Sequence, residues 1–156
     1  MGQVSRDEGG IAMAIDEAAT PPDGVPAGNV FSRVAIAGVP RAGKTTLAAT
    51  LGHDVFHTDD LVEGEAWSDI SAQVKAWFDL SGALVVEGVV VPRALRKWLR
   101  ANAGNSDRPC DKVVWLDTPR VPLTPKQRAM ATSCRKVMRE IAPELRRRGV
   151  EVVGLV

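Results

Sequence analysis

The octapeptide GVPRAGKT at positions 38–45 sets two glycines, a lysine and a threonine at every fixed position of the pattern GxxxxGK[ST]. The chemistry this spacing serves is the holding of a nucleoside triphosphate. A β-branched run at 34–37 leads into the loop and a helical pattern follows it, so backbone N–H groups of the loop and of the helix start converge on one concavity. Gly38, Arg41, Ala42 and Gly43 form the loop wall, with Gly43 permitting close backbone approach. Lys44 can reach the β and γ phosphates, the Thr45 hydroxyl is placed to hold magnesium, and Thr46 is placed for the α phosphate. Pro40 removes one amide donor from the cradle. The alternative, a chance glycine-rich turn, is disfavoured because motif and flanking elements agree.

Carboxylates are the second chemical resource. Asp59 and Asp60 follow the second expected strand and Glu87 ends the third, and in an open parallel sheet such strand ends border the ligand site. A carboxylate there takes the proton of an attacking hydroxyl, or holds magnesium directly or through water. Asp59 is the preferred base and metal partner, and Glu87 the second metal carboxylate beside Thr45. Asp60 reads either as an acceptor contact or as a helix-capping turn residue. Trp67 reads as an indole stacking on the acceptor or as a hydrophobic staple, and His57 as a packed strand residue.

These residues need a scaffold that brings strand ends together. Short apolar runs at 34–37, 55–58, 84–87, 112–117 and 150–155 alternate with helical patterns, the mark of a parallel sheet with helices on its faces. The first helix is expected from Lys44 to about Leu51, with Gly52 as its C′ residue. A second, capped by Ser68, turns Ile70, Val74, Trp77 and Phe78 inward and ends near Gly82. A third opens at Pro92, ends near Gly104 and carries Arg93, Arg96, Lys97 and Arg100 on one face. The fourth begins with a capping box of Thr124 and Gln127 and buries Met130, Cys134, Val137, Met138 and Ile141, with Pro143 opening a short separate turn. Trp77, Trp98 and Trp115 are assigned to the core.

With 156 residues the chain suits one domain, read as 31–156 behind a Gly-, Pro- and acid-rich tail over 1–30 in which 11–19 is the one helical candidate. The net charge of +1 conceals a segregation: residues 54–87 hold one base against eight acids, and residues 88–148 hold fifteen bases against five acids. Such blocks are either two solvated faces or the walls of a cleft suited to metal on one side and phosphate on the other. The two cysteines, Cys110 and Cys134, lack metal-ligand spacing and read as reduced core thiols. The apolar run at 83–91 is too short for a membrane span and is broken by Glu87, and the acidic N-terminus is unlike a secretory leader; a cytoplasmic protein with no membrane partner is expected.

GVPRAGKTT (38–46), HTDD (57–60), LVVEG (84–88) and a basic segment after VVWLD (113–117) together resemble the P-loop kinases, the group of shikimate, gluconate, adenylate, thymidylate and uridine kinases. The resemblance implies a three-layer α/β P-loop NTPase fold, a five-stranded parallel sheet ordered 2-3-1-4-5, ATP with Mg2+, and a mobile arginine-bearing lid. It assigns Asp59 to the acceptor hydroxyl and Arg93 to substrate. In the lid region, Arg120, Lys126, Arg128 and Arg135 are the candidates to reach phosphate, and Arg128 is preferred. The activity implied is transfer of a γ-phosphate to a hydroxyl or phosphate of a small metabolite or nucleotide. Similarity to small phage-encoded kinases adds a modified base in DNA as an alternative acceptor. An ATPase switch remains another class, although no guanine-reading NKxD is present. A nucleic-acid module using Arg93, Arg96, Lys97 and Arg100 is the third, against the plain reading of those bases as a solvated face.

Overall fold

The computed structural model describes residues 33–51, 54–61 and 66–155. The tail expected over 1–30, the helix expected at 11–19, Gly52, and the side chains of Asp60 and Trp67 lie outside what it describes. In chain order the elements are β1 (Arg33–Gly38), α1 (Lys44–Ala49), β2 (Val55–His57), a 3-10 turn (Thr58–Leu61), α2 (Trp67–Trp77), β3 (Leu84–Glu87), α3 (Val91–Ala101), β4 (Lys112–Leu116), α4 (Pro125–Arg147) and β5 (Glu151–Val153).

All strand pairs are parallel and the sheet order is β2-β3-β1-β4-β5, as expected. Successive strand residues point to opposite faces, and each face finds its own helices. Val34, Ile36 and Val85 pack with Ala48 and the half-buried Leu47 of α1. Ala35, Ala37, Leu84, Val86, Val113 and Trp115 form the larger core with residues of α2, α3 and α4. The result is three layers, α1, the sheet, and the α2–α3–α4 layer. Trp98 and Trp115 are buried in the larger core, and Trp77 meets Phe56 edge to face at 5.1 Å.

Several boundaries differ from expectation, among them the end of α2 at Trp77 rather than near Gly82 and the end of β4 at Leu116. Thr58 leaves β2 for the 3-10 turn, which swings Asp59 off the sheet. The N-cap of α2 is Ala66 rather than Ser68, and no side-chain cap bond is made there, so apolar burial of Ile70, Val74 and Phe78 rather than capping holds this end. β5 stops at Val153, before Gly154 at φ 92. Finally, α4 runs unbroken through Pro143. Arg139, whose carbonyl loses its helical donor to that proline, is exposed, while Ile141, Ala142 and Leu145 are buried on the opposite side. The orphan carbonyl belongs to a solvent-exposed residue, and packing of the buried side outweighs the local preference to break. The capping box at the other end forms as expected: Gln127 N donates to Thr124 Oγ1 at 3.1 Å and Thr124 N donates to Gln127 Oε1 at 3.0 Å.

At the end of the sheet opposite the phosphate loop, Arg33 ties three segments together. Its guanidinium donates to the carbonyls of Leu80 and Gly82 at 2.7 Å, Phe78 at 2.9 Å and Pro109 at 3.1 Å. These are charge-assisted bonds closing the C-terminus of α2 and the turn before β4. Arg33→Met, which keeps the stem and removes every donor, is expected to lower the unfolding free energy by about 2 kcal/mol in urea titrations.

Both cysteines are buried and neither forms a disulfide. Burial, with the charge of Asp111 adding to it, pushes the Cys110 thiol up to about 12. An unfolded thiol ionises near pH 9, so between about 9 and 12 the unfolded chain has lost a proton that the native chain keeps, and stability falls as pH rises through that window. Cys110→Ala is expected to flatten this alkaline loss. In the native protein at pH 8 a thiol reagent should label neither cysteine, and both after unfolding.

Candidate functional site

The phosphate loop is built by three local constraints. Gly38 ends β1 where the backbone passes β4 so closely that a Cβ there would lie 2.5 Å from the Leu116 carbonyl oxygen. That oxygen accepts from Val39 N at 3.0 Å, which turns the chain away from the sheet. Arg41, at φ 63, makes the left-handed tip of the loop, and its exposed side chain leaves the backbone carbonyl to accept from Arg120 N at 2.8 Å. Gly43 then sits at φ 91 as the N-cap of α1. A Cβ at Gly43 would lie 2.6 Å from the Arg120 guanidinium carbon, so glycine is needed both for the backbone angle and for that arginine.

Lys44 opens α1 with a side chain only 7% exposed, and its Nζ donates across the loop to the Val39 carbonyl at 2.7 Å. Burial holds the ammonium below its ordinary 10.5, opposed by the charges of Glu87 and then Asp59. Ala42 is buried in the loop wall, while Thr46 is exposed on α1.

Glu87 is the hub. It is 2% exposed, and its Oε2 accepts from Thr45 Oγ1 at 3.0 Å and meets His57 Nδ1 at 2.6 Å. The sheet register explains the meeting: His57 pairs with Glu87 across β2 and β3, and Ile36, two residues before the loop, pairs with Glu87 across β1 and β3. With a carboxylate at Nδ1, the imidazole proton is placed there. His57 is therefore more than the packed strand residue expected. The available signal was positional, because His57 ends β2 as Glu87 ends β3, and parallel neighbours that end together present their last side chains to each other.

Among the described residues no group of three or more His, Cys, Asp or Glu converges as a ready metal cage. Magnesium does not require such a cage, because it binds through one or two protein oxygens and takes the rest from phosphate and water. The Thr45 hydroxyl and the Glu87 carboxylate, already in contact, are such a pair.

The arginines of the β4–α4 connection divide by their contacts. Arg120 lies over Gly43 on the phosphate loop. Arg128, on the first turn of α4, donates to the Leu123 carbonyl at 2.8 Å and lines, with Arg120 and Arg135, a cavity of about 630 Å³. Arg135 Nε holds Asp117 at 2.6 Å. Arg93, on α3, donates to Ser133 Oγ of α4 at 2.6 Å and faces a different cavity. Cys134 Sγ donates to the Val89 carbonyl at 3.3 Å, and burial pushes its thiol up, opposed by the charges of Arg93, Lys44 and Arg135.

A five-stranded parallel sheet in the order 2-3-1-4-5, helices on both faces and a GxxxxGKT loop between β1 and α1 define a three-layer α/β protein of the P-loop class. No family model matches the chain and no curated protein does. Eight chains of solved structures match, among them the shikimate kinase of Acinetobacter baumannii in complex with shikimate. That protein is 17% identical over 78% of this chain and 83% of its own, with a TM-score of 0.37. Among the described residues no helix is long and apolar enough to cross a membrane.

Proposed function

We propose that the chain is an ATP-dependent phosphotransferase, a kinase moving the γ-phosphate to a hydroxyl or phosphate group of a small metabolite or nucleotide. The observation that supports this most is on the phosphate loop: a buried ammonium, Lys44, that feels the charges of Glu87 and Asp59, with Glu87 bonded to the loop threonine, Thr45. A polyphosphate on the loop amides brings its own negative charge to Lys44 and lifts the burial penalty on the ammonium. Thr45, Glu87 and Asp59 are the residues that would hold magnesium, which neutralises developing phosphate charge when bound. Asp59, exposed just beyond β2, accepts the proton of the attacking hydroxyl. The hydroxyl oxygen then forms the new bond to the γ-phosphorus as the bond to the β–γ bridging oxygen breaks, and ADP leaves with that electron pair. Arg120 and Arg128 flank the transferring group; of the two, Arg120 already touches the loop.

His57 and Arg120 act as positioning residues in this scheme. His57 fixes the rotamer of Glu87, and Arg120 braces the loop at both Arg41 and Gly43. The test is transfer from γ-labelled ATP to a panel of nucleosides, nucleotides and sugar phosphates with magnesium present. Label on an acceptor, with ADP release that depends on it, is the expected result. ADP release at one rate with and without every acceptor would overturn the kinase in favour of an ATPase.

A further inference from the structure

Thr58, between His57 and Asp59, is fully buried, and its Oγ1 has no hydrogen-bond partner among the described residues. Such a hydroxyl is uncommon in a folded protein, because burial without a partner carries the whole cost of taking the group out of water. What it meets instead is a glycine. A Cβ built on Gly88 would collide with Thr58 Oγ1 and would lie 2.8 Å from Thr58 Cβ. The hydroxyl oxygen thus fills the space that a side chain at position 88 would need, and a Cα–H bond of Gly88 points at it. Gly88 is itself held in place at φ 145: its N–H donates to the Ile36 carbonyl at 3.1 Å, and its carbonyl accepts from Val91 N at 3.4 Å.

Oxygen suits this notch better than carbon does. A Cα–H group approaches an oxygen with its carbon at about 3.3–3.6 Å. Two carbons rest further apart, at about 3.5–4.0 Å. Valine matches threonine in branching and lacks the unpaired hydroxyl, but its methyl would have to back out of the notch. The polar cost of the hydroxyl therefore goes with a closer approach of the turn to the strand end than an apolar side chain permits.

The register shows what this approach fixes. His57 pairs with Glu87 at the last rung of β2 and β3, and the contact of His57 Nδ1 with Glu87 Oε2 at 2.6 Å closes that rung. Thr58 on Gly88 is the next step, and Thr58 is the first residue of the 3-10 turn Thr58–Leu61 that carries Asp59. Successive anchors on Glu87 and Gly88 keep the turn from sliding along β3 or tilting away from it. We infer that Thr58 is a positioning residue: its hydroxyl, seated on Gly88, fixes where Asp59 stands relative to Glu87. The catalytic consequence rests on the kinase reading, in which Asp59 takes the proton and Glu87 holds magnesium; the seat itself does not. Misplacing a reacting group by about an ångström can cost about a hundredfold in rate.

The test compares two variants of the whole chain: Thr58→Ser, which keeps the oxygen and drops a buried methyl, and Thr58→Val, which keeps the branching and puts a methyl where the oxygen was. Thermal unfolding without ligand should rank the valine variant above the serine variant, because valine sheds the unpaired hydroxyl and serine loses apolar burial. Turnover should rank them the other way. The kcat of Thr58→Ser should stay within about threefold of the parent and that of Thr58→Val should fall by about tenfold or more, with KM for ATP within about twofold in both. A threonine that only packs would give turnover and stability in the same order, and that result would overturn the inference. So would an unchanged kcat in Thr58→Val, or a loss confined to its KM for ATP, which would place the effect on the phosphate loop. The amide resonances of Gly88 and Leu61, neither adjacent in sequence to the substitution, report the seat without any acceptor: they should move in Thr58→Val and hold in Thr58→Ser. If the parent chain transfers phosphate to no acceptor while the amides behave in this way, the kinase reading falls and the seat stands. If the amides hold in Thr58→Val, the seat falls whatever the turnover.

Discussion

Lys44→Met is expected to abolish ATP-dependent transfer, with kcat/KM falling by about 1000-fold or more, while the apo protein keeps or slightly gains thermal stability. The two halves of that result have one cause. The buried ammonium donates to the Val39 carbonyl, and burial outweighs the attraction of Glu87 and Asp59, since its pKa lies below the ordinary 10.5. Removing the charge therefore relieves a net electrostatic cost in the folded apo chain. In the window between that depressed pKa and 10.5, the native chain has released a proton that the unfolded chain still holds, so stability rises with pH, and Lys44→Met should remove this rise. Only a bound polyphosphate turns the buried ammonium into an asset. The discriminating measurement is thermal unfolding with and without ATP and magnesium: the parent chain should gain in midpoint as ligand is added and the variant should not. A variant that unfolds early without ligand would mean that Lys44 is a structural strut, and the functional site would lose its centre.

Glu87→Gln carries the second large effect, an expected loss in kcat of about 100-fold with much weaker dependence on magnesium. The substitution preserves shape in a position that is 2% exposed. Both bonds meet at Oε2, and a glutamine carbonyl oxygen in that place can still accept from Thr45 Oγ1 and from the Nδ1–H of His57. The fold therefore survives, whereas Glu87→Ala would leave two donors facing a void. His57→Gln should reproduce a smaller part of the loss, seen as a raised magnesium requirement rather than a changed ATP affinity. Full turnover in Glu87→Gln at low magnesium would show that this carboxylate serves only to pin Thr45.

Much of the molecule follows from short stretches of chain read by themselves. The loop at 38–45, the helix that follows it and the capping box at Thr124 and Gln127 depend on backbone angles and contacts within a few residues, and such local rules leave their mark in residue type and spacing. The strand order was also legible, because it came with the family resemblance carried by the loop and the strand-end acids. The continuity of α4 through Pro143 was not, since it depends on three buried neighbours packing against other elements.

The sequence by itself determined the GxxxxGKT loop and its place between β1 and α1, on which the proposal of a bound polyphosphate rests. Only the tertiary structure decided that His57 joins Glu87 and Thr45, that Arg120 rather than a later arginine braces Gly43, and that bases on α3 and α4 enclose one groove with Ser68 of α2. The physical reason is that parallel strands are joined by crossovers of a dozen or more residues, so their register is set by long-range packing of both sheet faces rather than by any turn between them. Residues 30 to 77 positions apart, such as His57 and Glu87 or Gly43 and Arg120, become neighbours only when that packing is complete.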